Sequence, residues 1–346
     1  MMISTIDINA INQCFVAAEI GINHNGDMDL AKRTILAAKD CGADAVKFQN
    51  YKVDDFISDR ELKYSYYSQN TKVVETQYEM FKRCELTDDQ VIELKTFSDD
   101  NGIVFLSTPT SLHGINILKS LNVPLLKNGS DFLVNLELIS EMAKSKIPTI
   151  ISTGMATLSE IDEAVKTFEE NGGKELIILH CTSAYPTPST QVNLNKIDSL
   201  KSAFGYPVGF SDHTLGSVAA IGAVLKGACF IEKHFTLNKS LPGPDHHFSC
   251  NPKELKKLVD DIRTIEASLG SSKIAPTEIE KQGRTNYRLS CVAKNKLLKD
   301  HLITREDIIF SRPALGLAPK FLPLLLGKVV KKEISANSPI LFENIL

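Results

Sequence analysis

The sequence predicts an α/β protein in which a closed (β/α)8 barrel of the TIM type is followed by a small β-rich domain. Three observations carry this expectation. Eight short β-branched runs alternate with amphipathic stretches between residues 15 and 270 without interruption, the order of a parallel barrel. Neither the G-x-G-x-x-G fingerprint of an open dinucleotide-binding sheet nor a Walker loop occurs, which makes the doubly wound sheet the runner-up. The 346 residues also exceed the ~250–300 at which a single core stops growing.

The eight runs are FVAAEI at 15–20, DAVKFQ at 44–49, IVFLST at 103–108, PLLKNG at 124–129, PTIIST at 148–153, ELIILHC at 175–181, PVGFSD at 207–212 and CFIEKHF at 229–235. Between them, 28–40, 88–100, 158–171 and 252–268 repeat Leu, Ile, Val and Ala at three- and four-residue intervals, as helices with one buried face do. Thr87 before Asp-Asp-Gln and Asn251 before a proline are helix-start signals. Residues 50–87 separate the second run from its helix and are too long for a plain connection, so they are expected to form a lid or part of a substrate wall. The plainer alternative is a surface excursion with a short extra helix. After Gly270 the polar stretch 271–283 reads as a linker, and 284–346 carries short apolar runs between Pro and Gly turn signals. The expected domains are therefore 1–270 and 284–346.

A formal net charge of -3, from 39 basic and 42 acidic residues, recommends neither nucleic acid nor an anionic membrane as a partner. The start MMISTIDINAINQCF has no basic and apolar leader pattern, and no stretch reaches the roughly 18 apolar residues that span a bilayer. A cytoplasmic protein is expected. Cysteines at 14, 41, 84, 181, 229, 250 and 291 form no C-x-x-C pair, which argues for reduced thiols in the core and against disulfides or structural zinc.

In such a barrel the C-terminal strand ends bear the chemistry. They read Glu19; Lys47 with Gln49; Ser107 with Thr108; Lys127 leading to Ser130; Ser152 with Thr153; His180 with Thr182 and Ser183; Ser211 with His213; and Glu232 with His234. Strand side chains alternate with period two, so Lys47 shares a face with Gln49 and Glu232 with His234. Two lysines among Ser and Thr hydroxyls suit a phosphate and a carboxylate, each of which needs charge and several directed donors. His213 and His234 end adjacent strands and are candidates for one divalent metal, a hydrogen-bonding pair being the alternative.

These residues also resemble a known family. Glu19-Ile-Gly-Ile-Asn-His-Asn-Gly26, Val46-Lys-Phe-Gln49, Ser107-Thr-Pro109, Ser152-Thr-Gly-Met155, His180-Cys-Thr-Ser-Ala-Tyr-Pro-Thr-Pro188, Ser211-Asp-His-Thr-Leu215, Glu232-Lys-His-Phe-Thr236 and Pro242-Gly-Pro-Asp245 look like the sialic acid synthases, in order through nearly the whole chain. Residues 284–346, with Arg312-Pro313 and Leu326-Gly-Lys328, are similar to the antifreeze-like (SAF) domain that follows the barrel in that family.

The resemblance implies condensation of phosphoenolpyruvate with an N-acylated amino sugar and water, giving a nonulosonic acid and phosphate without a Schiff base. It implies a divalent ion, Mn2+ first and Mg2+ or Co2+ as alternatives, on His213 and His234. It places Lys47, Thr108, Lys127, Ser130, Ser152, Ser183 and Ser211 at phosphoenolpyruvate, and Gln49, Tyr185, Asp245 and Arg312 at the sugar. Glu19 and Glu232 are its acid/base candidates, and Arg312 would come from a partner subunit in a homodimer with swapped C-terminal domains. N-acetylneuraminate synthesis is the first expectation, with legionaminate or pseudaminate as alternatives. Three departures bear on the product. Ser183 stands where N-acetylneuraminate synthases often carry asparagine, Asp131-Phe132 replaces Gly-Glu, and the tail 312–320 looks pseudaminic, although 242–246 looks neuraminic or legionaminic. The competing readings are a Schiff-base aldolase on Lys127 or Lys47, a metallohydrolase, which would need an H-x-H pair where Gly-Ile-Asn-His stands, and a non-enzymatic sugar-binding module.

Overall fold

The structure is a computed structural model that describes residues 2–3, 6–7 and 13–345. Most of the N-terminal stretch that was read as lacking a leader, together with Leu346, lies outside the described residues. The chain divides into two compact units, Met1–Gly270 and Ser271–Leu346.

The first unit is the expected barrel. Strands β1 (Phe15–Gly21), β2 (Ala45–Asn50), β3 (Val104–Pro109), β4 (Leu126–Asn128), β5 (Thr149–Ser152), β6 (Leu176–Cys181), β7 (Val208–Asp212) and β8 (Phe230–His234) close in sequential order, every neighbouring pair parallel. Helices α1 (Met28–Asp40), α2 (Asp88–Asp100), α3 (Leu112–Ser120), α4 (Leu136–Ser145), α5 (Leu158–Glu170), α6 (Lys196–Phe204), α7 (Val218–Leu225) and α8 (Pro252–Leu269) follow the strands. Thr87 with Gln90 and Asn251 with Glu254 form reciprocal capping boxes at α2 and α8, satisfying helix-end donors that would otherwise be orphaned.

The period-two alternation separates two cores. Outward residues such as Val16, Val46, Phe48, Ile178 and Ile231 pack under the helices. Inward residues Phe15, Ala17, Ala45, Leu106, Leu125, Ile150, Ile177, Leu179 and Phe230 fill the barrel, with Phe15 stacked on Phe230 at 5.3 Å. Burying each large apolar side chain contributes about 1.5–3 kcal/mol. This plug closes the barrel below, so the polar residues one step further along each strand face a floor.

The excursion after β2 is more built than a loop. It contains a turn at Val53–Asp55, an antiparallel hairpin of Lys63–Ser68 and Thr71–Thr76, and a short helix Gln77–Lys82. Seven free cysteines are all buried except the half-buried Cys229, as expected.

The second unit holds β9 (Ser290–Ala293) paired with β10 (Ile308–Ser311) around Cys291, Leu297, Ile303, Leu325, Val330, Ile334 and Ile340. The stretch 271–283, expected as linker, carries the start of helix α9 (Glu278–Asn286), which Thr277 and Glu280 cap. Among the described residues no helix is long and apolar enough to cross a membrane.

Candidate active site

Glu19 lies two residues before the end of β1, and the strand register sets it beside Lys47 of β2 on one side and His234 of β8 on the other. Gly21 follows at φ 53°, where a side chain would be strained, and a Cβ there would come 3.0 Å from Glu19 Oε1. The glycine leaves the carboxylate room to turn inward.

Lys47 Nζ lies 2.8 Å from Glu19 Oε2 and 3.8 Å from Glu232 Oε2, and donates to Thr108 Oγ1 at 3.1 Å. Lys127 Nζ stands 3.6 Å from Glu232 Oε2. Gln49 Nε2 donates to Glu19 Oε1 at 3.3 Å, and Ser211 Oγ to Glu232 Oε1 at 2.9 Å. All four charged groups are buried, so none is screened by bulk water and loss of one strands the others.

The two glutamates diverge. Burial raises the Glu19 pKa and outweighs Lys47. Burial also opposes ionisation of Glu232, but Lys127, Lys47 and the Ser211 hydroxyl together outweigh it and hold that carboxyl below its ordinary range. Burial lowers Lys127 and, with the Glu19 charge, raises Asp245 to about 7.

A hydroxyl cradle lies beside the lysines. Ser130 Oγ accepts the Gly154 N–H at 3.0 Å, and the buried Ser152 Oγ has no hydrogen-bond partner. A Cβ on Gly154 would lie 2.2 Å from Ser183 Oγ and 2.7 Å from Ser130 Oγ, so only glycine lets the two serines converge.

Just past β7, His213 Nδ1 donates to the Thr182 carbonyl at 2.9 Å, which leaves Nε2 as the lone-pair nitrogen, 3.3 Å from Ser211 Oγ. His234 Nδ1 is buried without a hydrogen-bond partner and lies 3.6 Å from Asp245 Oδ2. The two rings are 5.3 Å apart, and the Tyr185 ring covers both at 4.2 and 5.7 Å. Among the described residues no group of three or more His, Cys, Asp or Glu side chains forms a metal cage.

One cavity of about 520 Å³ is lined by Glu19, Lys47, Gln49, Thr108, Lys127, Ser130, Ser152, Ser183, Tyr185, Ser211, His213, Glu232, His234 and Asp245. These are all the expected site residues but Arg312. That residue lies in the second unit, its guanidinium 5.8 Å from the Tyr287 ring. Ser107, Thr153, His180 and Thr182, also read as strand-end groups, do not line the cavity. On β6 the inward positions are 177, 179 and 181. His180 therefore faces outward, bonded through Nε2 to the Val192 carbonyl at 2.6 Å and stacked on Phe210.

The lining also includes Asp131, Phe132 and Cys181, and six residues from the excursion: Tyr51, Phe56, Tyr64, Gln77, Met80 and Phe81. Cys181 was legible by parity; the excursion residues show no period that marks them.

Residues 34–274 match the NeuB family, and residues 290–346 match the SAF domain. The chain belongs to the NeuB family. It is 42% identical to the N,N'-diacetyllegionaminic acid synthase of Legionella pneumophila over 96% of this chain and 94% of the relative. It is 36% identical to a pseudaminic acid synthase of Campylobacter jejuni over 95% of each chain. The solved N-acetylneuraminic acid synthetase of Leptospira borgpetersenii superposes with TM-score 0.71 at 35% identity, covering 80% of this chain and 94% of that one. The likeness to sialic acid synthases drawn from the strand ends thus extends along this NeuB chain, and its parallel barrel is the fold of that relative.

Proposed function

We propose that this NeuB-family chain is a nonulosonic acid synthase that condenses phosphoenolpyruvate with a diacetamido-trideoxyhexose and water, releasing phosphate and a legionaminate-type product. The observation that carries the reaction class is one cavity lined by two lysines with a hydroxyl cradle and by two histidines, of which His234 Nδ1 has no hydrogen-bond partner and His213 Nε2 touches only the Ser211 hydroxyl. The lysine side suits an anion with both phosphate and carboxylate. A nitrogen lone pair on each imidazole suits a divalent metal, with remaining positions open to substrate or water.

Lys47, Lys127, Thr108, Ser130, Ser152, Ser183 and Ser211 would hold phosphoenolpyruvate, its charges entering where Glu19 and Glu232 now balance the lysines. Gln49, Tyr185 and Asp245 would orient the sugar aldehyde toward C3 of phosphoenolpyruvate. His213 and His234 would hold Mn2+, with Mg2+ or Co2+ as substitutes, and the ion supplies Lewis-acid polarisation of the aldehyde. Divergent environments assign acid and base. Glu19, whose pKa burial raises, is assigned the acid's role and gives a proton to the oxygen formed from the aldehyde. Glu232, held ionised, takes the proton of the water that adds at C2 before phosphate leaves.

For the sugar, N-acetylneuraminate synthesis was the first expectation from sequence. The higher identity to the legionaminic acid synthase and the cavity wall of Phe56, Met80, Phe81 and Phe132 favour a deoxy sugar with a second acetamido methyl. Arg312 would come from the second unit of a partner in a swapped, cytoplasmic homodimer. Residues 284–346 carry eleven Lys and Arg against five Asp and Glu, while the rest of the chain is net acidic, a complementarity that favours such docking.

The test is phosphate release from phosphoenolpyruvate with Mn2+ and, separately, each diacetamido-trideoxyhexose and N-acetylmannosamine. Preference for the legionaminate precursor is expected. Preference for another sugar would overturn the product, and silence with all of them, in folded protein, the reaction.

A further inference from the structure

We infer that the buried Lys233–Asp212 ion pair is the positioning device for His213 and His234, acting on them from the outer side of the barrel wall. The inference rests on the proposed role of those histidines as metal holders.

Lys233 and Asp212 are register partners on β8 and β7, and each is at most 2% exposed. Lys233 Nζ donates to Asp212 Oδ2 at 2.7 Å and to the Thr214 carbonyl at 2.5 Å, while Asp212 Oδ1 accepts the Thr214 N–H at 2.8 Å. Period-two alternation turns these side chains away from the cavity and turns their chain neighbours, Ser211 and His213 on one strand and Glu232 and His234 on the other, into it. The ammonium thus ties together the residues before and after His213 from a side chain that itself precedes His234.

A buried ion pair adds little stability, because desolvation cancels most of the Coulombic gain and an apolar pair of similar volume often serves as well. What three short polar contacts do supply is direction. The segment 212–214 leaves the sheet at the end of β7, where the Thr187 N–H holds the His213 carbonyl at 2.9 Å and the Lys233 clamp fixes the residues on either side of it. Groups that orient a metal's ligands commonly change affinity by about 10–100-fold when removed.

Removing Lys233 alone would strand the Asp212 charge, so the informative protein is the double variant Asp212→Asn with Lys233→Met, which keeps volume and an oxygen to accept the Thr214 N–H. Asp212→Leu with Lys233→Met is the second variant, should the first fail to fold. Mn2+ binding is followed by the loss of the free-ion electron paramagnetic resonance signal, without substrates, alongside thermal unfolding. The expected result is a Kd for Mn2+ raised about tenfold or more, a lowered kcat and a KM for phosphoenolpyruvate near that of the parent, in protein that melts near the parental temperature. Parental Mn2+ affinity in a folded double variant overturns the inference alone. A parent protein that binds no Mn2+, or binds it equally after His213→Ala, overturns the metal reading and this inference with it.

Discussion

Lys127 Nζ and Glu232 Oε2 stand 3.6 Å apart at the mouth of the barrel, both side chains about 5% exposed. Each depends on the other for its charge, and an incoming anion must take over part of that balance.

Glu232→Gln is therefore expected to separate binding from chemistry. The amide keeps an acceptor for Ser211 but cannot take a proton, and it frees two buried lysines for the anion. The rate constant should fall about 10²–10⁴-fold, the usual reach of a general base, while phosphoenolpyruvate binding measured by calorimetry holds or tightens. Parental kcat in this variant would remove Glu232 from the proton transfers.

Gly154→Ala tests the cradle. The new methyl would collide with Ser183 Oγ at 2.2 Å and Ser130 Oγ at 2.7 Å, so both hydroxyls must move. Small displacements at such a site cost on the order of 10²-fold. The expected outcome is a KM for phosphoenolpyruvate raised at least tenfold, with little change in the KM for sugar. An unchanged phosphoenolpyruvate KM would show that the two serines do not hold it.

Phe132→Ala tests the apolar wall. Phe132 lines the cavity and its ring stands 6.2 Å from that of Phe56. Lost apolar contact in a pocket changes discrimination by roughly 10–200-fold per group. The ratio of kcat/KM for the diacetamido sugar over N-acetylmannosamine should fall about tenfold. A constant ratio would place the second acetamido group elsewhere.

The barrel and most of its mouth were legible because one physical rule serves both. Period two sends Ala17 into the plug and Glu19 into the cavity, Ala45 into the plug and Lys47 above it. His180 misled because polarity at a strand end was read without parity, although Leu179 and Cys181 on either side mark the inward face. Phe56, Met80 and Phe81 were hidden because an irregular excursion has no period to project, and its tertiary packing chooses which rings face the cavity. Helix α9 was hidden by its polar sequence, although Thr277 and Glu280 formed a readable capping signal.

The same motif that supplies Glu19 also predicts acid sensitivity. His24 and His246 are each 1% exposed. Burial lowers both to about 4, and the charge of His24 further lowers His246. His24 Nδ1 accepts the Gly26 N–H at 3.0 Å, a role that a protonated nitrogen cannot fill. In the unfolded chain both rings titrate near ~6.5. Above that value neither state binds the proton and stability is flat from this source. As pH falls from about 6.5 toward 4 the unfolded chain takes up protons that the folded chain refuses, so stability falls, by about 2 kcal/mol per ring near pH 5. Urea unfolding of parent and of a variant without the two rings, at about pH 7 and about pH 5, should show that loss as a difference between them. His24→Asn with His246→Asn, which retains an oxygen near each Nδ1, is that variant. Because Asn25 Nδ2 also donates to the Pro242 carbonyl at 2.7 Å and lies 3.2 Å from His246 Nε2, protonation here loosens the loop that carries Asp245. Because Asp245, raised to about 7, gains stability over the same window, the deciding quantity is the difference between parent and double variant; a difference that stays constant between the two pH values would mean that these rings are not held neutral.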